Sequence, residues 1–177
     1  LRSLMGRYAP FDAVTRDALD FAMDAYGAGD RGLRDALLEA YETLDPYPDV
    51  RPALETLRRR GLPRAVLSNG TPAMLARAVE HAGLTDLLDD VLSVAAVGVY
   101  KPDPRVYELA VARFGGPPAG IVFVSANGWD VAGASAAGIT AIRLDRQAEP
   151  ADRLPGDPAA TLKDLWPLSP LLFGERA

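Results

Sequence analysis

Cysteine is absent from the 177 residues, so no disulfide, thiolate nucleophile or thiolate-bound metal is available to this chain. The single histidine, His81, rules out a histidine-rich metal site and argues against a histidine-based triad. Lysine is nearly as scarce: Lys101 and Lys163 are the only two, and every other basic side chain is an arginine. No apolar run approaches the roughly 20 residues of a membrane-spanning helix, and Leu1 to Arg7 contain no apolar signal core. With a net charge of −5 and no long basic run, neither nucleic acid nor an anionic membrane is expected as a partner. A cytoplasmic protein is the resulting expectation.

What is present is an ordinary globular composition, 49% hydrophobic and 24% charged, in a chain long enough for one core and a small subdomain. Residues 1–48 are read as helical, because Leu19, Ala22, Met23 and Tyr26, and then Leu33, Leu37, Leu38 and Tyr41, recur at three and four. Asp12 or Thr15 is expected to cap the first helix, and Gly27 to end it. From Asp49 to Ala177 the pattern changes to alternating helix and strand. Helices are expected at 49–60, 72–82 and 104–114, and strands at 63–67, 90–94, 121–125 and 140–144. Such alternation implies an α/β fold with a parallel, doubly wound sheet. The proline-rich tail after Gln147 reads as a surface segment with one weak element near 161–165.

The chain is organised around Ile121-Val122-Phe123-Val124-Ser125-Ala126-Asn127-Gly128-Trp129-Asp130, an apolar strand covered on both faces that runs into a polar turn and then a helix of small residues. Gly133, Ala134, Ala136 and Ala137 are expected to let that helix lie close to the sheet. Open parallel sheets bind ligands at the carboxyl ends of their strands, so Ser125, Asn127 and Asp130 are expected to converge there. Ser68-Asn69-Gly70 ends another strand and offers a hydroxyl, an amide and free backbone N–H groups to an anion. Taken alone, it reads at least as well as a cap and turn for the helix at 72–82. Lys101, retained in an arginine-rich chain between Tyr100 and Pro102, suits a tight site where a compact ammonium fits between carboxylates and a forked guanidinium does not. The alternative is a solvated loop lysine.

Leu67-Ser68-Asn69-Gly70, Val99-Tyr100-Lys101-Pro102 with Arg105-Val106-Tyr107-Glu108-Leu109-Ala110, and Phe123 to Asp130 resemble the L-2-haloacid dehalogenases (type II) of the haloacid dehalogenase superfamily. Ser-Asn-Gly and Lys-Pro are shared with superfamily phosphatases; Ser-x-Asn-x-Trp-Asp is the more specific mark. Phosphatases carry an aspartate at the position of Ser125, where it holds Mg²⁺ together with the counterpart of Asp130. A hydroxyl there weakens a site built from few carboxylates, so the resemblance implies metal-free, cofactor-free chemistry. It also implies a Rossmann-like core at 49–177 under a partial helical cap at 1–48, in a homodimer. The reaction implied is displacement of halide from an L-2-haloalkanoic acid through an aspartyl ester, whose hydrolysis gives the D-2-hydroxy acid. Carried over residue by residue, Lys101, Asp130, Ser125, Asn127 and Tyr107 would be catalytic. Ser68 and Asn69 would bind the substrate carboxylate, and Phe11 and Trp129 would line the halide pocket.

One departure stands out. The family's nucleophilic aspartate lies in an Asp-x-Tyr-Gly-Thr motif ending the first, central strand, upstream of Leu1. Asp24-Ala25-Tyr26-Gly27-Ala28 is not that motif, because Phe21, Ala22 and Tyr26 keep helical spacing and no strand precedes Asp24. The residues present are therefore expected to lack the central strand and to be inactive unless an upstream segment or another chain completes the sheet. Two rivals remain: a Mg²⁺-dependent phosphatase of the same superfamily, and an inactive fragment that serves as a binding module.

Overall fold

The computed structural model of the chain describes residues 1–150 and 152–175. Two helices come first, α1 (Phe11–Tyr26) and α2 (Arg31–Ala40). Neither Asp12 nor Thr15 caps α1. Pro10 holds the N-cap position, Asp12 is instead paired with Arg16, and the Thr15 hydroxyl donates back to the Phe11 carbonyl. Gly27 ends the helix at φ 67°, a conformation that costs other residues a steric penalty. Asp30 caps α2 by accepting from the Gly32 N–H. Neither helix contains a buried residue, and Phe21 and Tyr26 are largely exposed.

The remainder alternates as expected: α3 (Val50–Arg59), β1 (Ala65–Ser68), α4 (Pro72–His81), β2 (Asp90–Ser93), α5 (Pro104–Phe114), β3 (Val122–Ser125), α6 (Gly128–Ala136) and β4 (Thr140–Leu144). Strand β1 begins two residues later than the apolar pattern suggests. Pro63 has no N–H to give a ladder, and Arg64 turns its N–H to the Asp89 carboxylate. Val122 is 38% exposed, so β3 is not covered on both faces along its whole length.

The tail holds more structure than its prolines suggest. β5 (Ala160–Leu162) extends the sheet, and α7 (Leu168–Phe173) follows. Leu168 packs with Leu57 of α3 and Ile142 of β4. Asp49, which precedes α3, is 3% exposed and ties this end together. Its carboxylate accepts from Arg146 at 2.9 and 3.0 Å and from the Leu165 N–H at 2.6 Å.

Every strand pairing is parallel, but the ladder lies in two pieces, β1-β2 and β3-β4-β5. β1 and β3 are not hydrogen-bonded to each other among the described residues. A cluster of Tyr107, Val131, Ala134, Ile139 and Ala141, with Leu67 and Phe123 against it, packs α5 and α6 onto the β3 side and touches β1. Ala134 is fully buried as expected, whereas Ala136 faces outward.

Candidate active site

The carboxyl end of β1 and the loop that leaves β3 meet at the side chain of Lys101. Its ammonium donates to the Leu67 carbonyl of β1 at 2.8 Å and to Oδ2 of Asp130 at 3.0 Å. Only 6% of either side chain is exposed. The Phe123 ring of β3 lies beneath the ammonium at 4.7 Å, a cation over a π face. Among the described residues the ammonium therefore sits between one carboxylate and one carbonyl. Burial pushes the Lys101 pKa below its ordinary value, and the Asp130 charge offsets part of that shift.

Asp130 lies in the first turn of α6, where a negative charge is favoured. Its carboxylate is held from three directions, by Lys101, by the Ser125 hydroxyl at 3.1 Å on Oδ2 and by the Tyr107 hydroxyl at 2.7 Å on Oδ1. Tyr107 is wholly buried on α5. Its phenol is pushed well above the ordinary tyrosine range, first by burial and then by the adjacent carboxylate, so it remains a donor. The approach depends on Gly133 of α6. A methyl group there would collide with the Tyr107 hydroxyl and come within 2.7 Å of Pro102 Cβ. Gly133 was expected to allow a close approach to the sheet; its near neighbours are instead Tyr107 and Pro102.

The residues ending β1 have a different role from the cap considered first. Thr71, not Ser68 or Asn69, caps α4 by accepting from the Met74 N–H at 3.3 Å. The Ser68 oxygen accepts from the Gly70 N–H at 3.2 Å, and the Asn69 Oδ1 accepts from the Lys101 N–H at 3.1 Å. Each of these oxygens thus already accepts one hydrogen bond, whereas the Ser68 O–H, the Asn69 amide N–H groups and one of three N–H bonds on Lys101 have no partner among the described residues. These unpartnered donors suit an anion.

The other expected residues lie further out. Asn127 precedes α6 without a side-chain cap, is exposed, and joins the cluster only through its backbone N–H, which donates to the Ser125 oxygen at 3.2 Å. Among the described residues its side chain makes no hydrogen bond to Ser125 or Asp130. Trp129 is 38% exposed on the same rim. Phe11 opens α1 in an aromatic group with Tyr41 and Tyr100, its ring 5.9 Å from that of Tyr100. Tyr100 itself was not marked by any sequence signal except its place beside Lys101. Among the described residues no cluster of three histidine, aspartate or glutamate side chains could hold a metal ion.

A family model for haloacid dehalogenase-like hydrolases matches residues 3–138, and the chain belongs to that family. Relatives named as 2-haloacid dehalogenases are similar to it over most of its length. It is 44% identical to (S)-2-haloacid dehalogenase 1 of Pseudomonas sp. (strain CBS-3) over 84% of the chain and 66% of that protein. It is 42% identical to (S)-2-haloacid dehalogenase 4A of Burkholderia cepacia over 94% of the chain and 74% of that protein. The fold superposes with a TM-score of 0.91 on the L-2-haloacid dehalogenase of Xanthobacter autotrophicus with chloropropionic acid covalently bound, at 36% identity over 99% of this chain and 80% of that one. The chain thus spans about two thirds to four fifths of these relatives' lengths.

Proposed function

We propose that this chain supplies most of the active site of an L-2-haloacid dehalogenase, which converts L-2-haloalkanoic acids to D-2-hydroxyalkanoic acids through an aspartyl ester. One observation carries the reading: Ser68, Asn69 and Lys101 each keep at least one donor without a partner among the described residues, at the strand ends where Lys101 is held. A substrate carboxylate accepts from these groups, which fixes the α-carbon for in-line attack. Lys101 also keeps the attacking carboxylate ionised. Asp130, oriented by Ser125 and Tyr107, accepts a proton from the water that cleaves the ester. Asn127 orients that water from the rim, and Phe11 and Trp129 form the apolar wall where halide departs.

The attacking aspartate belongs, in this proposal, to a strand from outside the 177 residues that pairs with the free edges of β1 and β3. The lysine bridge from Leu67 to Asp130 supports that placement, since it links the ends of two strands that are not paired with each other. Residues 1–48 form a helical cap over a core at 49–177. A homodimer belongs to the same proposal, supported by Leu33, Leu37 and Tyr41, apolar side chains on or next to α2 that are about half exposed, as does a cytoplasmic address. Light scattering on the full-length protein tests the dimer.

The decisive assay sets halide release from L-2-chloropropionate in EDTA against phosphate release from a phosphomonoester in Mg²⁺. Halide release that survives chelation is the expected result; phosphate release alone would establish the phosphatase. Inertness of the full-length protein towards both would leave the binding module. Ser125 favours the first outcome, because its hydroxyl stands where a second hard anionic ligand would be needed for Mg²⁺.

A further inference from the structure

We infer that Tyr100 is a positioning residue, whose phenol ties the root of α1 to the backbone that carries Lys101 and thereby holds the ammonium on Asp130. The hydroxyl of Tyr100 donates to the carbonyl of Ala9, ninety-one residues away in sequence and just before α1. Its ring lies 5.3 Å from that of Tyr8 and 5.9 Å from that of Phe11, so three aromatic side chains meet at this joint. The next residue faces the other way. The Lys101 backbone N–H donates to Asn69, and its side chain donates to Leu67 and Asp130. A displacement of the α1 root is therefore passed through one peptide unit to the ammonium and to the Asn69 amide.

The alternative, that Tyr100 only fills space between two packed segments, makes a different forecast. A second tie joins the same parts of the molecule on another side, where Arg77 of α4 is paired with Glu42 beyond α2. If general loosening were the cause, cutting either tie would disturb Lys101 equally. If Tyr100 positions Lys101, only its own loss will.

The test uses the scarcity of lysine and needs no turnover, so it is separable from the functional proposal on which the word positioning rests. Full-length wild type, Tyr100→Phe, Tyr100→Leu and Arg77→Ala are labelled with trace acetic anhydride. Acylation of Lys101 relative to Lys163, which is exposed on the tail, is read by peptide mass spectrometry. Tyr100→Phe, which keeps the ring and loses one hydrogen bond, is expected to raise the ratio about three- to tenfold, and Tyr100→Leu at least as much. Arg77→Ala is expected to leave it unchanged. A wild-type ratio in Tyr100→Phe, or an equal rise in Arg77→Ala, overturns the inference. Absence of halide release from wild type would sink the functional proposal and leave the labelling result standing.

Discussion

Lys101 and Asp130 form a buried ion pair, Nζ to Oδ2 at 3.0 Å, that spans the break between β1 and β3. A buried pair is poor evidence for net stabilisation, because desolvation offsets much of the Coulomb attraction. Its value here is placement: the cation is carried to the strand ends, where an anion would be received.

Replacing Lys101 separates these roles. Lys101→Met leaves the Asp130 charge without its cation and is expected to lower the unfolding free energy by about 3–5 kcal/mol, with halide release reduced by at least about a hundredfold, the scale of one lost electrostatic stabiliser. Lys101→Arg keeps the charge but brings a fork too large for a space bounded by Leu67, Asp130 and the Phe123 ring. It is expected to be as inactive as Met. Urea titrations paired with halide assays check both; an active arginine variant would refute the steric part.

The same lysine sets a pH signature of opposite sign in activity and stability. Its pKa is lowered by burial, so halide release should fall on the alkaline side below the ordinary lysine value of about 10.4. Tyr107 is shifted upward and does not contribute to that limb. Between the folded and unfolded pKa values the unfolded chain binds more protons, so Lys101's contribution to stability rises with pH across that window as activity is lost. A pH–rate profile alongside denaturation of wild type and Lys101→Met at matched pH values measures the two slopes. Parallel slopes would contradict the assignment.

Gly133→Ala tests the close approach of α5 and α6. The added methyl meets the Tyr107 hydroxyl and Pro102, so overpacking of about 1–3 kcal/mol is expected. Because Tyr107 would be forced off Asp130, the kcat for 2-chloropropionate should fall to about the level of Tyr107→Phe, roughly tenfold, the worth of one hydrogen bond to a charged group. The double variant Gly133→Ala, Tyr107→Phe should recover part of the stability lost by Gly133→Ala alone, since the colliding oxygen is gone while the contact with Pro102 remains. Additive losses would show that the clash lies elsewhere.

Asp49 offers a contrast remote from the chemistry. Asp49→Ala removes the partner of Arg146 and the acceptor for the Leu165 N–H. A loss of about 3–5 kcal/mol is expected for a broken buried pair. In whatever fraction of the sample stays folded, KM should be unchanged. Thermal unfolding and steady-state kinetics of the same preparation decide.

The alternation of helix and strand after Asp49 was legible because each strand is a short apolar run closed by a polar turn, and each helix is marked by proline or glycine. α7 was hidden by Pro167 and Pro170, which punctuate a helix only six residues long. The cap of α4 was misassigned because Ser68, Asn69 and Thr71 are all good N-cap residues, and only geometry shows which oxygen reaches the Met74 N–H. In the site, Lys101, Ser125, Asp130 and Tyr107 were legible by resemblance and are joined by hydrogen bonds. The outward placement of Asn127 and Trp129, and the partners of Tyr100, depend on tertiary packing that spacing along the chain does not encode.

Gly133 has no functional group, yet it sets how far a phenol can reach. Surveys that rank positions by chemical endowment, looking for acids, bases and nucleophiles, would pass over it. In this hydrolase a bare α-carbon is where two helices agree on their separation, and a single carbon added there would act on catalysis from a residue that never meets the reactant.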